Sequence, residues 1–386
     1  MQKIRDLEAI GEPKTRREIP LTRPSVGEQE LEEIRGVLES GWLAQGPKVK
    51  EFERQLAMRF GAKYVVATSS CTTSLSLAID ALGLKSAGEV IVPDFTFPAT
   101  GNVAVRAGSK PVLVDVDATT YAIDTSAMKT AITRRTTAII PVHPFGHPFE
   151  MDEVYEIADK HGIAVIEDAA TAFGTKYKGR LVGSSGKAVC FSFHPRKLLT
   201  TAEGGCLVTD DKGLYERAVA MRSHGQVTEK DGRVRFLYNG LNYRMSDVHA
   251  AIGIAQLSRI DSIIGSRRRQ AEVYGDLLRS SKLDVRVPTE ESWAYHTYQS
   301  YVVVLGSSLP GNEKLSPRLK KKFGVETQVG TYSLGVQPSF KHSISKGTLA
   351  VSKKLYRRSL TLPLFESLSE EEQAYVVDSL KAASRL

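Results

Sequence analysis

Phe191-Ser-Phe-His-Pro-Arg-Lys197-Leu-Leu-Thr-Thr-Ala-Glu-Gly-Gly205 is the stretch from which the rest of the chain can be read. The apolar run Ala188 to Phe193 predicts a buried strand, and Pro195 stops it. The Gly204-Gly205 pair then lets the chain turn before a second apolar run, Cys206 to Thr209. Lys197 therefore falls on a short connection at the end of a strand. A lone lysine is usually a solvated surface residue, and that reading stays open for this one. Its neighbours add a second reading. His194 and Arg196 bring positive charge, and the strand brings desolvation. Both disfavour the ammonium form and leave an amine nucleophilic enough for imine chemistry.

Upstream, Ile163-Ala-Val-Ile-Glu-Asp168-Ala-Ala170 is an apolar run closed by two acids. That pattern predicts a buried parallel strand delivering a carboxylate at its C-terminal end. Asp168 alone reads equally as a helix cap. Beside a candidate imine lysine, it reads as the carboxylate that keeps a pyridine nitrogen protonated, so that pyridoxal phosphate (PLP) can act as an electron sink.

Glu167-Asp168-Ala-Ala, Gly183, Cys190-Phe-Ser-Phe-His-Pro-Arg-Lys197 and Thr200-Thr-Ala-Glu-Gly-Gly205 together resemble the DegT/DnrJ/StrS sugar aminotransferases, a branch of the fold-type I PLP enzymes. The resemblance runs from about Ile19 to the C-terminus. It implies an α/β fold of type I, with a large, mostly parallel sheet domain and a smaller C-terminal α+β domain. The expected division is an N-terminal extension over 1–18, a large PLP-binding domain over 19–262 and a small domain over 263–386. The first helices of the large domain are placed where they can pack with the small one.

The resemblance also assigns roles. Tyr64 to Ser70 reads as a strand running into the helix that opens at Cys71. Small hydroxyl residues at such a junction suit a phosphate or simply cap the helix. The family pattern makes Thr72 and Thr73 donors to the PLP phosphate, with Ser192 beside them. Phe97 takes the place of a ring stacked on the cofactor. Thr171 stands where many relatives have glutamine near the cofactor hydroxyl. Asn242 matches an asparagine that reaches the PLP phosphate of the neighbouring subunit, which implies a homodimer with a shared active site. Cys71 stands where relatives usually have glycine. Gly330 to Pro338 lacks the histidines that many relatives present to substrate.

Several segments are read from pattern alone. Ser25 to Leu38 and Val49 to Phe60 predict helices, and strands are expected at Val112 to Val116, Ala138 to Val142 and Ile163 to Glu167. His143 reads as structural. Gln226 to Arg235 is polar and reads as a mobile loop, and the charged run opening at Arg267 as a solvated helix face. Ser369 to Glu372 is a capping box opening the last helix.

Composition sets outer bounds. The chain has 386 residues, 41% hydrophobic and 25% charged, which is ordinary for a globular protein. The formal charge of +8 points to anionic partners. The basic residues are dispersed and no DNA-reading motif stands out, so a phosphorylated small substrate is favoured over nucleic acid. No apolar run reaches the length of a membrane span, and Met1 to Arg17 has no signal-peptide core. Cys71, Cys190 and Cys206 lack metal-ligand spacing and read as reduced thiols of a cytoplasmic protein.

The expected activity is PLP-dependent transamination of a nucleotide-linked keto-sugar to an amino sugar, as in polysaccharide biosynthesis, with glutamate or glutamine as donor. A PLP- or PMP-dependent sugar dehydratase of the same family is the nearest alternative, but those relatives replace the lysine with histidine. A regulatory or nucleic-acid-binding protein on the same scaffold is the alternative from another class.

Overall fold

The computed structural model describes residues 16–84, 87–184 and 186–386. Its central sheet runs in the order Lys110–Val114, Glu89–Pro93, Thr136–Ile139, then Ala164–Val165 continuing into Glu167–Asp168, Val189–Ser192, Gly205–Thr209 and Tyr64–Thr68. The two halves join through Ile166, whose N–H donates to Ile139, and Asp168, whose N–H donates to Pro141. Neighbouring strands are parallel except that Gly205–Thr209 runs against both of its neighbours. Strands such as Glu89–Pro93 and Gly205–Thr209 are buried at every position, as expected of a sheet covered on both faces. One apolar cluster on Phe52, Phe60, Phe191 and Phe193 packs one face, and another on Leu75, Ala78, Val92 and Ile140 packs the other.

Parallel strands place their C-terminal ends along one edge, where ligands bind in open α/β sheets. Register fixes who meets there. Cys190 lies opposite Asp168, and Ser192 and Thr68 both lie opposite Gly205. A Cβ on Gly205 would come within 2.4 Å of Cys71 N and 2.5 Å of Ser70 C. Only glycine lets the start of the Cys71–Ala81 helix press against that strand end.

A separate antiparallel sheet pairs Val285–Arg286, Tyr301–Leu305 and Ser359–Leu362. The helices Ile260–Ser280 and Glu370–Ser384 contribute Tyr274, Leu278, Val376 and Leu380 to the core formed with it. The predicted capping box is present: Ser369 Oγ accepts from Glu372 N at 3.2 Å, and Ser369 N donates to the Glu372 carboxylate at 2.9 Å. Residues 1–15 of the expected extension lie outside the described residues. Arg17 is tied down, its N–H donating to the Tyr375 hydroxyl at 3.0 Å.

Two readings are corrected. Gln226 to Arg235 is a β-hairpin, Gln226–Thr228 paired with Val234–Phe236. Its alternation is hidden by polar residues. The pairing rests on Glu229 and Gly232, which close the turn, Gly232 at φ 82°, and on Arg235 to Glu229 at 3.0 Å. The charged run on the Ile260–Ser280 helix is not wholly solvated. Arg267 is 5% exposed and in phase with the buried stripe Ile260, Ile263, Ala271 and Tyr274.

Candidate active site

A cavity of about 390 Å3 opens at the C-terminal edge of the sheet. Of the residues singled out by sequence, Lys197, Asp168, Phe97, Thr72, Thr171 and Ser192 line it, while Thr73 and Asn242 do not.

Lys197 sits in the turn after Val189–Ser192, its N–H donating to His194 O at 2.8 Å. Gln299, a distant residue in sequence, straps this turn: its Oε1 accepts from Leu198 N at 2.8 Å and its amide donates to Arg196 O. Burial pushes the Lys197 ammonium below the ordinary lysine range, and the Arg196 charge adds to the shift. Cys71 and Asp168 oppose it. Among the described residues no carboxylate stands within 4 Å of the Lys197 amine. Desolvation and the Arg196 charge match the environment expected from sequence for an imine-forming lysine, whereas His194 is not among the groups that shift it.

Asp168 ends its short strand at 5% exposure. One carboxylate oxygen accepts from Ala170 N at 3.1 Å and the other from Thr100 Oγ1 at 2.7 Å. Thr100 is in turn 2.9 Å from Thr96 Oγ1. Burial raises the Asp168 pKa above the usual carboxylate range, and these two donors pull it back towards ionisation. Behind it, His143 Nε2 is 2.8 Å from Glu167 Oε2, and the His143 ring lies 4.3 Å from that of Phe149. His143 is thus fully buried and held in place.

At the phosphate-suited end the geometry separates the two threonines. Ser70 caps the 11-residue Cys71–Ala81 helix, and Ser70, Cys71 and Thr72 face the cavity. Thr73 does not line the cavity. Its hydroxyl donates to Ser70 O at 2.7 Å, and its N–H donates to Ser70 Oγ at 3.1 Å, so both groups serve the cap. Cys71 takes the first helical position, its thiol directed at Cys190 O at 3.5 Å. Burial raises the Cys71 pKa.

Phe97 precedes the Pro98–Arg106 helix; the residue is 63% exposed, and its ring lies 6.3 Å from the Tyr332 ring. Thr171 Oγ1 donates to His143 O at 2.6 Å, leaving only its lone pairs for a ligand. Asn242 is exposed outside this cavity, and its Oδ1 accepts from Arg244 N at 3.3 Å.

The residues present suit PLP. A desolvated lysine, a buried carboxylate with two donors and a hydroxyl-rich helix start face one space of sufficient size. Thr100, Gln299 and Arg267 are functional candidates that sequence reasoning does not single out. Thr100 and Gln299 act through contacts of 68 and 101 residues' separation, which carry no local signal. Arg267 has one, its phase with the apolar stripe.

Fold and site together define a fold-type I aminotransferase scaffold. The profile of the DegT/DnrJ/EryC1/StrS aminotransferase family matches residues 24–381, and the chain belongs to that family. It is 36% identical over 363 residues to the GDP-perosamine synthase of Escherichia coli O157:H7, covering 94% of this chain and 97% of that protein. Spr1654 from Streptococcus pneumoniae, solved in a PLP form, superposes with a TM-score of 0.89 at 26% identity, covering 96% of this chain and 99% of the other. GDP-4-keto-6-deoxymannose-3-dehydratase (ColD), solved as a point mutant with bound GDP-perosamine, superposes with a TM-score of 0.87 at 26% identity over 94% of this chain and 100% of the other.

Proposed function

We propose that this PLP-dependent sugar aminotransferase converts a nucleotide-linked keto-sugar to the corresponding amino sugar, taking the amino group from glutamate or glutamine. The observation that carries the reading is the presence of Lys197 and Asp168 on one cavity, the lysine desolvated and free of ion pairs among the described residues. PLP, when bound, supplies an electron sink for the charge that develops beside the transferred nitrogen. Asp168 is the group to pair with its ring nitrogen, and Thr100 and Ala170 hold that carboxylate in place. Ser70, Thr72 and Ser192 offer hydroxyls to its phosphate, and Phe97 offers a ring face. Lys197 Nζ is the group to hold the aldehyde carbon. With the cofactor bound, Lys197 Nζ as a free amine would take the proton from the donor carbon and, in the second half-reaction, return one to the sugar carbon. The donor's own amino nitrogen would pass to the sugar, and the donor would leave as its keto acid.

Retention of the lysine supports transamination over the dehydratase reading, for which the family resemblance calls for histidine at this position. Asn242, exposed and outside its own cavity, supports a homodimer in which each copy completes the other's phosphate site. Val234, Phe236, Leu237 and Leu241, close to it in sequence, are apolar side chains each about half exposed or more. Three free, buried cysteines suit a reducing cytoplasm, and no helix among the described residues is long and apolar enough to cross a membrane.

An absorption titration tests the reading. The PLP-loaded protein is expected to lose its imine band with glutamate or glutamine and to regain it with one nucleotide keto-sugar from a panel. A band unaffected by any amino acid rejects transamination.

A further inference from the structure

One distant side chain grips the lysine turn on both sides of Lys197, and we propose that Gln299 is a positioning residue that presents the amine by fixing the Lys197 backbone. The inference rests on the transaminase reading above. A carboxylate against Nζ would order the lysine but would also keep it charged. A nucleophilic lysine is better ordered through its main chain. Gln299 is 5% exposed and lines the same cavity as Lys197. Its Oε1 accepts from Leu198 N at 2.8 Å, and its Nε2 donates to Arg196 O. Those two groups belong to the two peptide units that meet at the Lys197 Cα. The orientations of these units are set by φ and ψ of Lys197, the only soft backbone dihedrals there, so one side chain fixes both.

Gln299 is itself braced. It follows Tyr298, whose φ of 49° is a left-handed conformation that a residue with a Cβ keeps only where its surroundings over-determine it. Tyr298 N donates to His296 Nδ1 at 3.0 Å, and the two rings stack at 4.0 Å. Gly146 presses on the same segment. A Cβ there would come within 2.6 Å of Thr297 Oγ1 and 2.9 Å of Gln299 N, so only glycine admits this approach, at φ 102°. Across the contact, Thr297 N donates to Gly146 O at 3.1 Å and Ser300 N to Phe145 O at 3.3 Å. Gln299 therefore ties the Lys197 turn to a fixed point.

The residue type follows from the task. Holding a carbonyl and an N–H at once needs an acceptor and a donor on one planar group, which a side-chain amide supplies. An ionised glutamate would accept from Leu198 N but leave Arg196 O without its donor, and would bring a negative charge near the amine. Cys71 and Asp168 already raise the Lys197 pKa against the effects of burial and Arg196, and the neutral amide leaves that balance alone. Gln328 holds the Arg196 guanidinium in turn, which keeps the like charge beside the turn. Fixing the backbone bears on rate because misplacing a reacting atom by about 1 Å can cost about 100-fold.

The test compares wild type with Gln299→Met, which keeps the length but neither hydrogen bond, and with Gln299→Glu. The half-reaction of the PLP-loaded protein with L-glutamate, followed by cofactor absorbance, gives a limiting rate and an apparent Kd. Acetylation of Lys197 by acetic anhydride in the apoprotein is followed against pH by peptide mass spectrometry, and the melting temperature of each variant is measured. In Gln299→Met the limiting rate is expected to fall about 100-fold with the apparent Kd within about threefold of wild type. The acetylation midpoint should move upward as the loosened turn lets water reach the amine, and further upward in Gln299→Glu, whose carboxylate favours the ammonium. A limiting rate within about twofold of wild type with an unmoved midpoint overturns the proposal, and so does a weakened Kd at an unchanged limiting rate, which would make Gln299 a donor contact. Failure of both variants to fold also overturns it and leaves Gln299 as a structural anchor. Wild type that shows no spectral response to glutamate contradicts the transaminase reading instead, and the acetylation midpoints then still decide whether Gln299 sets the lysine.

Discussion

The two walls of the active-site cavity are built by different rules. One wall comes from the central sheet: Lys197, Asp168, Ser192 and the Ser70–Thr72 turn lie at or just beyond strand ends that register aligns. The other comes from segments remote in sequence, namely Arg267, Gln299, Gln328, Thr331-Tyr332, Thr361-Leu362 and Leu364. On the first wall each chemical group is introduced by its own local pattern, a buried strand followed by a break. On the second, a side chain becomes functional only when tertiary packing carries it to the cavity. The sheet wall therefore carries the groups of the proposed transamination, and the remote wall closes the rest of the cavity.

Lys197→Ala gives the largest expected effect and would break the sheet wall. Turnover should fall by about three orders of magnitude or more, because one amine both holds the cofactor carbon and moves the proton. Steady-state rates near wild type in that variant contradict the assignment.

Asn242→Ala sharpens the comparison by adding a third contributor, the second copy. PLP retention should drop about tenfold, judged from the loss of one hydrogen bond to a charged group. Mixed with Lys197→Ala subunits, it should recover part of the activity, since one site of the mixed dimer then holds both intact residues. No recovery in mixtures shown to exchange subunits argues against a shared site.

Arg196→Gln is expected to give the smallest effect. The Arg196 charge helps to hold the Lys197 pKa down, so its removal moves that pKa up towards the ordinary lysine value. PLP uptake by apoprotein, measured against pH, should shift its midpoint upward and become slower at any fixed pH below it. A downward shift would show that the guanidinium does not act on the amine as a like charge.

These contrasts explain what is legible in the sequence. The parallel sheet, the turn at Gly204-Gly205 and the strand-end positions of Lys197 and Asp168 follow from apolar runs closed by breakers, which are local signals. The reversed direction of the strand after the turn is seen only in the structure. Thr72 and Thr73 look alike in sequence, but the helix cap consumes Thr73 because its hydroxyl falls one turn above Ser70. Arg267 reads as a solvated charge because its neighbours Arg268 and Arg269 are charged too, and periodicity against Ile263 and Ala271 is the cue that separates it from them. Thr100 and Gln299 have no cue, since a hydroxyl on a helix and an amide before a strand acquire their roles only from the Asp168 and Lys197 segments they meet. The hairpin at Gln226 to Phe236 is hidden because its residues face solvent on both sides and show no apolar alternation.

The central claim is that Lys197 is the residue that holds the cofactor. Borohydride reduction of the PLP-loaded protein, followed by peptide mass spectrometry, tests it directly. The account predicts one pyridoxyl-modified site, on the peptide containing Lys197, and no stoichiometric label in Lys197→Ala. Stoichiometric label on another lysine, or none on Lys197 in wild type, contradicts it.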